Sequence, residues 1–326
     1  MKLHRRRFLH LSAGTAVLTS LTRSSRAQDG YPSRPIRLIV GFTPGTASDI
    51  TARLFAKGAA PILGQQVAVE NKPGAAGSVA GQYVVRAAKD GYTLFLFALS
   101  TLTNEIINST PSFDVSKDFA PIALLANGTI VLAVNPATNV HGVAELIALA
   151  KSKPGEVLYG STGTGSIPQL AAELFAQRAG IKLTHVPYPG SPQITGDLIA
   201  GRITMSFNIA SAMIGQIKAG QLTALAAAAK KRAAALPDVP TMAEAGIPDF
   251  DTSLWLGLAA PAGTPSRVIE KLADAAHKAM QSPESVETLR TQGYEPLDAG
   301  PDQFAAFIRS EIARWSAVVR AAGLKA

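Results

Sequence analysis

Ile36-Arg37-Leu38-Ile39-Val40-Gly41-Phe42-Thr43-Pro44-Gly45-Thr46-Ala47-Ser48-Asp49 reads as a buried strand, a glycine-containing loop and the start of a helix over 47–60. A short run of branched apolar residues suits a strand covered on both faces, and glycine with proline punctuates its end. The same unit recurs downstream. Residues 66–70 form a second strand, Glu70-Asn71-Lys72-Pro73-Gly74-Ala75-Ala76-Gly77-Ser78 a second loop, and 79–88 a second helix. Residues 157–159 form another strand, Gly160-Ser161-Thr162-Gly163-Thr164-Gly165-Ser166 a third loop, and 167–179 its helix.

Working outward, strands are expected at 94–98, 130–134, 183–186 and 203–207, and helices at 143–151 and 192–200. Residues 222–228 read as strand or helix, because alanine erases the period. Thr264-Pro265 starts a helix, with an N-cap hydroxyl and proline at its first position. Its face carries Val268, Leu272 and Ala276. A last helix places Phe304, Phe307, Ile308, Ile312, Trp315 and Val319 on one core-packing stripe and ends at Gly323. Alternating strands and helices give an α/β fold with mostly parallel sheets. The chain has no low-complexity linker, so two interwoven domains joined through strands are expected, with 130–135 and 255–260 as the crossings.

The first 27 residues carry an address. A basic segment (Lys2, Arg5, Arg6, Arg7) precedes a short, mildly apolar stretch, a polar segment and the small residue Ala27. This is the pattern of a secretory signal peptide cleaved near Ala27, and Arg5-Arg6-Arg7-Phe8-Leu9 fits the twin-arginine type. The apolar part falls short of the ~20 residues that a spanning helix needs. The whole chain is formally +8, but six of its 31 basic residues lie in 1–27, where no acidic residue occurs. The remainder holds 25 basic against 23 acidic residues, so the high pI is no sign of nucleic-acid binding. Lys230-Lys231-Arg232 reads as a solvated helix end.

Several chemistries are missing. With no cysteine there is no disulfide, thiol nucleophile, thiolate zinc site or lipid-anchoring cysteine. No Walker A lysine motif occurs. Pro168 stands where a dinucleotide fingerprint needs its third glycine, and Tyr159 where a nucleophile elbow needs its first. His141, His185 and His277 show no ligand spacing, and His185 reads as a satisfied core histidine. No nucleophile–base pair is legible, and neither a metal nor a cofactor is expected.

The three glycine loops are the candidate site. A helix N-terminus leaves backbone N–H groups unpaired, and glycine lets a ligand approach them. In open α/β sheets, ligands bind beyond the carboxyl ends of the strands, where these loops lie. One such loop alone is an ordinary turn; three with the same placement point to a site. Only Lys72 and Arg53 are nearby cations, so a carboxylate suits the loops better than a nucleotide. Asp49 either meets a ligand's amino group or caps the loop backbone.

Tyr31-Pro32-Ser33-Arg34-Pro35 with the first strand, Phe42, Pro44-Gly45 and Asp49 resembles the start of the tripartite tricarboxylate transporter substrate-binding proteins, the Bug or TctC-like family. The similarity continues through Val69-Glu70-Asn71-Lys72-Pro73-Gly74-Ala75, Asp90-Gly91-Tyr92-Thr93-Leu94, Lys117-Asp118-Phe119-Ala120-Pro121, Tyr159-Gly160-Ser161 and His185-Val186-Pro187-Tyr188. It ends with Leu236-Pro237-Asp238-Val239-Pro240-Thr241, Glu244-Ala245-Gly246 and Ala260-Pro261-Ala262-Gly263-Thr264-Pro265. The resemblance implies a two-lobed, type II-like periplasmic-binding fold, a Venus flytrap. Lobe 1 is expected over 28–129 and 259–326, and lobe 2 over 130–258. It implies Phe42, Gly45, Thr46, Gly74 and Ser100 as ligand contacts from lobe 1, with Asp49 beside them. From lobe 2 it implies Thr162, Thr164, Ser166 and Asn208.

Two positions depart from the family pattern. Thr46 replaces a second glycine, and Asn208 follows Phe207 directly where the family often has an acidic residue. The implied function is a periplasmic solute-binding protein for a small carboxylate, acting as a monomer with a large and a small integral-membrane transporter subunit and without nucleic acid. It is not expected to be an enzyme. The alternatives are a secreted enzyme acting on small organic acids and a sensor protein that presents its ligand to a receptor.

Overall fold

The computed structural model describes residues 30–291 and 293–324. The leader expected at 1–27 lies outside the described residues.

The repeated unit forms as its pattern dictates. β1 (Ile36–Val40) leads to α1 (Ala47–Leu63), β2 (Val67–Asn71) to α2 (Ser78–Val85), and β3 (Thr93–Ala98) runs directly into α3 (Leu99–Ile107). β4 (Phe119–Gly128) is followed, one residue later, by β5 (Ile130–Val134). Next come α4 (Val143–Ser152), β6 (Leu158–Ser161), α5 (Ile167–Ala179), β7 (Thr184–Pro187), α6 (Ser191–Ile199), β8 (Met205–Ile209), α7 (Ile214–Lys218) and β9 (Thr223–Ala227). The chain closes with β10 (Leu254–Pro261), α8 (Ser266–Met280), α9 (Pro283–Thr291), β11 (Tyr294–Ala299) and α10 (Pro301–Ala321).

Two sheets result, of order β11-β4-β10-β3-β1-β2 and β7-β6-β8-β5-β9. β1 pairs in parallel with β2 and β3, and β6 with β7 and β8. The strands nearest the crossings run the other way. β10 is antiparallel to β3 and β4, and β5 to β8 and β9. Each lobe is therefore a mixed sheet rather than a mostly parallel one. The chain enters the second sheet through Thr129 alone. β10 lies in the first sheet throughout, with Leu254 paired to Gly128, so the return occurs upstream of Leu254.

The ambiguous alanine stretch is strand β9, because Ala224, Ala226 and Ala227 pair with β5. The expected helix start at Thr264 is corrected. Its hydroxyl donates to the Pro261 carbonyl at 2.8 Å, and α8 begins at Ser266 with no side-chain cap. Lys230-Lys231-Arg232 is also not a helix end. It lies in the irregular segment after β9, where Arg232 pairs with Glu244 at 2.9 Å.

The stripe on α10 packs on an aromatic cluster. Trp255 meets Phe97, Phe304 and Phe307 edge-on, with centroids 5.3 to 5.7 Å apart. Edge-to-face rings add to the area that they bury. The stripe also hides a carboxylate. Glu311, 2% exposed, accepts from Trp255 Nε1 at 2.9 Å and Trp315 Nε1 at 3.1 Å, and pairs with Arg314. Burial pushes its carboxyl up despite Arg314. Arg314 also donates to the Asp251 carbonyl, which ties α10 to the returning segment.

Gly257 sits in β10 beneath this cluster. A Cβ there would stand 2.2 Å from Phe304 Cζ and 2.5 Å from its Cε1. Gly257→Ala is expected to cost about 1–3 kcal/mol by overpacking, read as a lower urea midpoint. An unchanged midpoint would show that the Phe304 ring yields freely.

Candidate ligand-binding site

The loops after β1 and β2 and the start of α3 pack on one another through glycine. A Cβ on Gly41 would lie 2.4 Å from Gly77 Cα, and one on Gly77 would lie 2.4 Å from Thr101 Oγ1. Thr101 in turn donates to the Ala76 carbonyl at 2.8 Å. Between them Ala75 and Ala76 hold φ of 45° and 51°, the left-handed region that alanine avoids. Such strain persists where its surroundings over-determine it and collects at ligand sites.

The first loop is held from within. Asp49, 3% exposed, accepts from Gly45 N at 3.0 Å, from Asn71 Nδ2 at 2.9 Å and from Arg53 through both its oxygens. Asn71 also donates to the Phe42 carbonyl at 2.9 Å. Burial works to raise the Asp49 pKa, but Arg53, Gly45 and Asn71 outweigh it and hold the carboxyl below the usual aspartate range. Thr46 caps α1, accepting from Asp49 N at 3.4 Å and donating to the Thr43 carbonyl. Asp49 thus caps the loop backbone at Gly45.

The third loop is clamped by a network that the sequence hid. Ser161 Oγ lies 2.6 Å from His185 Nε2, and Gln169 Nε2 lies 3.4 Å from His185 Nδ1. Gln169 Oε1 accepts from Gly165 N at 2.6 Å. Tyr159 stacks on the imidazole and donates to Glu173 at 2.6 Å. Burial lowers the His185 pKa, against the pull of Glu173. A serine and a histidine do therefore meet, with Ser161 0% exposed.

A cavity of about 390 Å³ lies where the two sheets face each other. α3 lays Ser100, Asn104 and Ile107 along it, one helical face, joined by Ala76 and Leu254 from the same lobe. The other lobe contributes Thr162, Thr164 and Gly165 from its loop, Ser166, Ile167 and Pro168 from the start of α5, and Ser191 from the start of α6. Ile130, Asn208 and Ile209 line it at the crossing. None of the starts of α3, α5 and α6 is capped by a side chain; the Ser166 hydroxyl donates instead to the Gly163 carbonyl at 2.7 Å.

Of the expected contacts, Ser100, Thr162, Thr164, Ser166 and Asn208 are brought together here. Phe42, Gly45, Thr46, Asp49 and Gly74 belong to the first two loops, of which Ala76 reaches the cavity wall and these five do not. Asn104 and Ser191 also line the cavity and were not singled out in the sequence. Ser191 follows Gly190 and precedes Pro192, a readable helix start. Asn104 has no signal until α3 is known. Among the described residues no cluster of three histidines or carboxylates suits a metal, and no helix is long and apolar enough to cross a membrane.

Residues 51–324 match the model of the tripartite tricarboxylate transporter family receptor, TctC. The chain is 37% identical over 314 residues to Protein BugT of Bordetella pertussis, covering 96% of each. It is 34% identical to Rpa4515 of R. palustris, solved with adipate, with a TM-score of 0.75 over 90% of this chain and 98% of that one. MatC of Rhodopseudomonas palustris, solved with bound malate, is 29% identical with a TM-score of 0.72 over 89% of this chain and 100% of that one. The chain belongs to the tripartite tricarboxylate transporter receptor family, whose members are periplasmic solute-binding receptors.

The Asp49 cluster makes a pH prediction. A carboxyl held below its usual range stabilises the fold above that range, and the contribution fades as pH falls through its folded value. Asp49→Asn is expected to cost about 2 kcal/mol at neutral pH, the worth of charge-assisted hydrogen bonds. The gap between variant and wild type should begin to close as pH falls below about 4 and vanish below the folded value. A gap that persists undiminished in acid would remove ionised Asp49 from the account.

Proposed function

We propose that this receptor closes its lobes on a small carboxylate in the 390 Å³ cleft and presents it to the large and small integral-membrane subunits of a tripartite transporter. The observation that carries this reading is the convergence of helix starts and hydroxyls from both lobes on one cavity without a lining cation. Ser100, Thr162, Thr164, Ser166 and Asn208 are the proposed contacts. Phe42, Gly45, Thr46, Asp49 and Gly74 are the proposed support behind them. The adipate and malate held by its relatives agree with a carboxylate ligand. Export with removal of a leader near Ala27, and action as a monomer, complete the proposal. So does a lobe boundary at Thr129 and before Leu254.

Magnitudes favour capture by closure. A helix start contributes about 0.3–1 kcal/mol to an anion, up to ~2 when partly buried. Micromolar binding needs about 8 kcal/mol. Lobe 1 offers one such start with Ser100, which falls short alone. Lobe 2 adds the starts of α5 and α6 with their hydroxyls. Ligand affinity is therefore concentrated in the closed form, and binding shifts the population toward it.

Thermal unfolding against a panel of small carboxylates and uncharged analogues tests this. A ligand at 100 times its Kd should add ~2.7 kcal/mol of stability. Thr164→Trp, at an exposed position on the cavity wall, should abolish the shift while leaving the ligand-free melting temperature within a few degrees. Undiminished affinity in that variant would move the site elsewhere.

A further inference from the structure

We propose that the cleft selects an organic acid with an apolar body, no ammonium group, and a second hydrogen-bond acceptor that meets Asn208 Nδ2; this rests on the carboxylate reading above. Asn208 is 2% exposed at the end of β8 and lines the cavity. Its Oδ1 accepts from Ile209 N at 2.9 Å and from Ser191 Oγ at 2.9 Å. A backbone N–H can only donate, so the oxygen faces Ile209 and the amide N–H₂ faces the other way. Nδ2 is buried and has no hydrogen-bond partner among the described residues. Buried donors are almost always paired, and Asn208 lines the cavity, so this donor is assigned to an acceptor that enters the cleft. What it takes is an acceptor: a carboxylate, carbonyl or hydroxyl oxygen.

The rest of the lining decides what else the ligand carries. No aspartate or glutamate lines the cavity. The carboxylates behind it are engaged, Asp49 by Arg53, Asn71 and Gly45, and Glu173 by Tyr159. An ammonium group brought out of water needs an anion or a full set of acceptors; Asn208 presents it with a donor, and neutral acceptors alone remain, the Asn104 amide oxygen and the lining hydroxyls of Ser100, Thr162 and Thr164. Ile107, Ile130, Ile167, Ile209 and Leu254 make much of the remaining wall. They suit a hydrocarbon or aromatic body and offer nothing to a polyol.

Isothermal titration of the purified protein with matched series of five to eight carbons tests the proposal. Each series holds a monocarboxylate, the corresponding α,ω-dicarboxylate and its 2-amino derivative, for example hexanoate, adipate and 2-aminoadipate. In the best-fitting series the dicarboxylate should bind about tenfold tighter than the monocarboxylate, the worth of one hydrogen bond. The 2-amino derivative should be at least about a hundredfold weaker than the dicarboxylate. Asn208→Ala should erase the tenfold preference, with a circular dichroism spectrum that matches the wild type reporting an intact fold. Asn208→Asp keeps acceptors for Ile209 and Ser191 but turns a charge toward the ligand. It should weaken the dicarboxylate by more than a hundredfold and narrow the gap to the 2-amino derivative. Binding of the 2-amino derivative as tight as the dicarboxylate, or an Asn208→Ala variant that keeps the preference, overturns this inference and leaves the carboxylate receptor standing. No heat with any acid fails the carboxylate reading, and this inference with it.

Discussion

A single residue, Thr129, separates the last pairing of β4 from the first of β5, and that short crossing dictates how the two sheets meet. Its N–H donates to the Gly293 carbonyl, and its carbonyl accepts from Ala210 N at 2.9 Å, so the crossing is bonded into both lobes. β4 arrives at its carboxyl end. Because β10 is antiparallel to both β4 and β3, the carboxyl ends of β1, β2 and β3 lie at that same edge. β5 departs at its amino end, antiparallel to β8, which brings the carboxyl ends of β6, β7 and β8 to the facing edge. Two binding edges of α/β sheets are thereby turned toward each other. Ile130, Ile209 and Leu254, the residues nearest the crossing, line the cavity between them.

What the sequence showed follows from how strongly each element is punctuated. α5 lies between the Gly165-Ser166 start and Gly180, whose φ of 62° ends it, and its span was legible to the residue. β5 is bounded by Thr129 and Asn135, and was equally plain. α3 was invisible because β3 passes into it at Ala98-Leu99 with no glycine, proline or capping side chain. The apolar run therefore read as strand alone, and Asn104 went unseen with the helix that carries it. β4 was hidden because Pro121 interrupts it and Ala123-Leu124-Leu125-Ala126 shows no readable period. The glycine loops were located correctly, yet their appearance as ligand cradles concealed that the first is closed by its own Asp49, Asn71 and Arg53. Glycine spacing marks where the backbone turns; only the bonds around it show which loop faces the cavity.

The Ser161–His185 contact shows why residue chemistry must be read with burial. At 2.6 Å the pair has the separation of a nucleophile and its base. Ser161 is nonetheless wholly buried, and its hydroxyl donates to the Gly163 carbonyl at 3.1 Å and accepts from Gly163 N at 3.2 Å within the loop that it anchors. His185 is occupied at both ring nitrogens, by Ser161 and by Gln169, and Gln169 extends the chain of bonds to Gly165 N. The network therefore fixes the 161–166 backbone, and with it Thr162, Thr164 and the start of α5. The lowered His185 pKa agrees with that role, since a neutral imidazole offers one donor and one acceptor.

A cleft without lining charges places a further condition on the lobes. An arginine in one lobe would hold a carboxylate strongly whether or not the other lobe arrived, and the open form would compete for the ligand. Dipoles and hydroxyls are weak in water and strengthen when water is excluded. Here Gly165 and Ile107 come so close across the cleft that a Cβ on Gly165 would stand 2.7 Å from Ile107 Cδ1. The small residue on one lobe thus lets the other seat against it and shut water out. On the proposed reading, binding strength and closure are the same event, which is what a membrane partner needs if it is to tell a loaded receptor from an empty one.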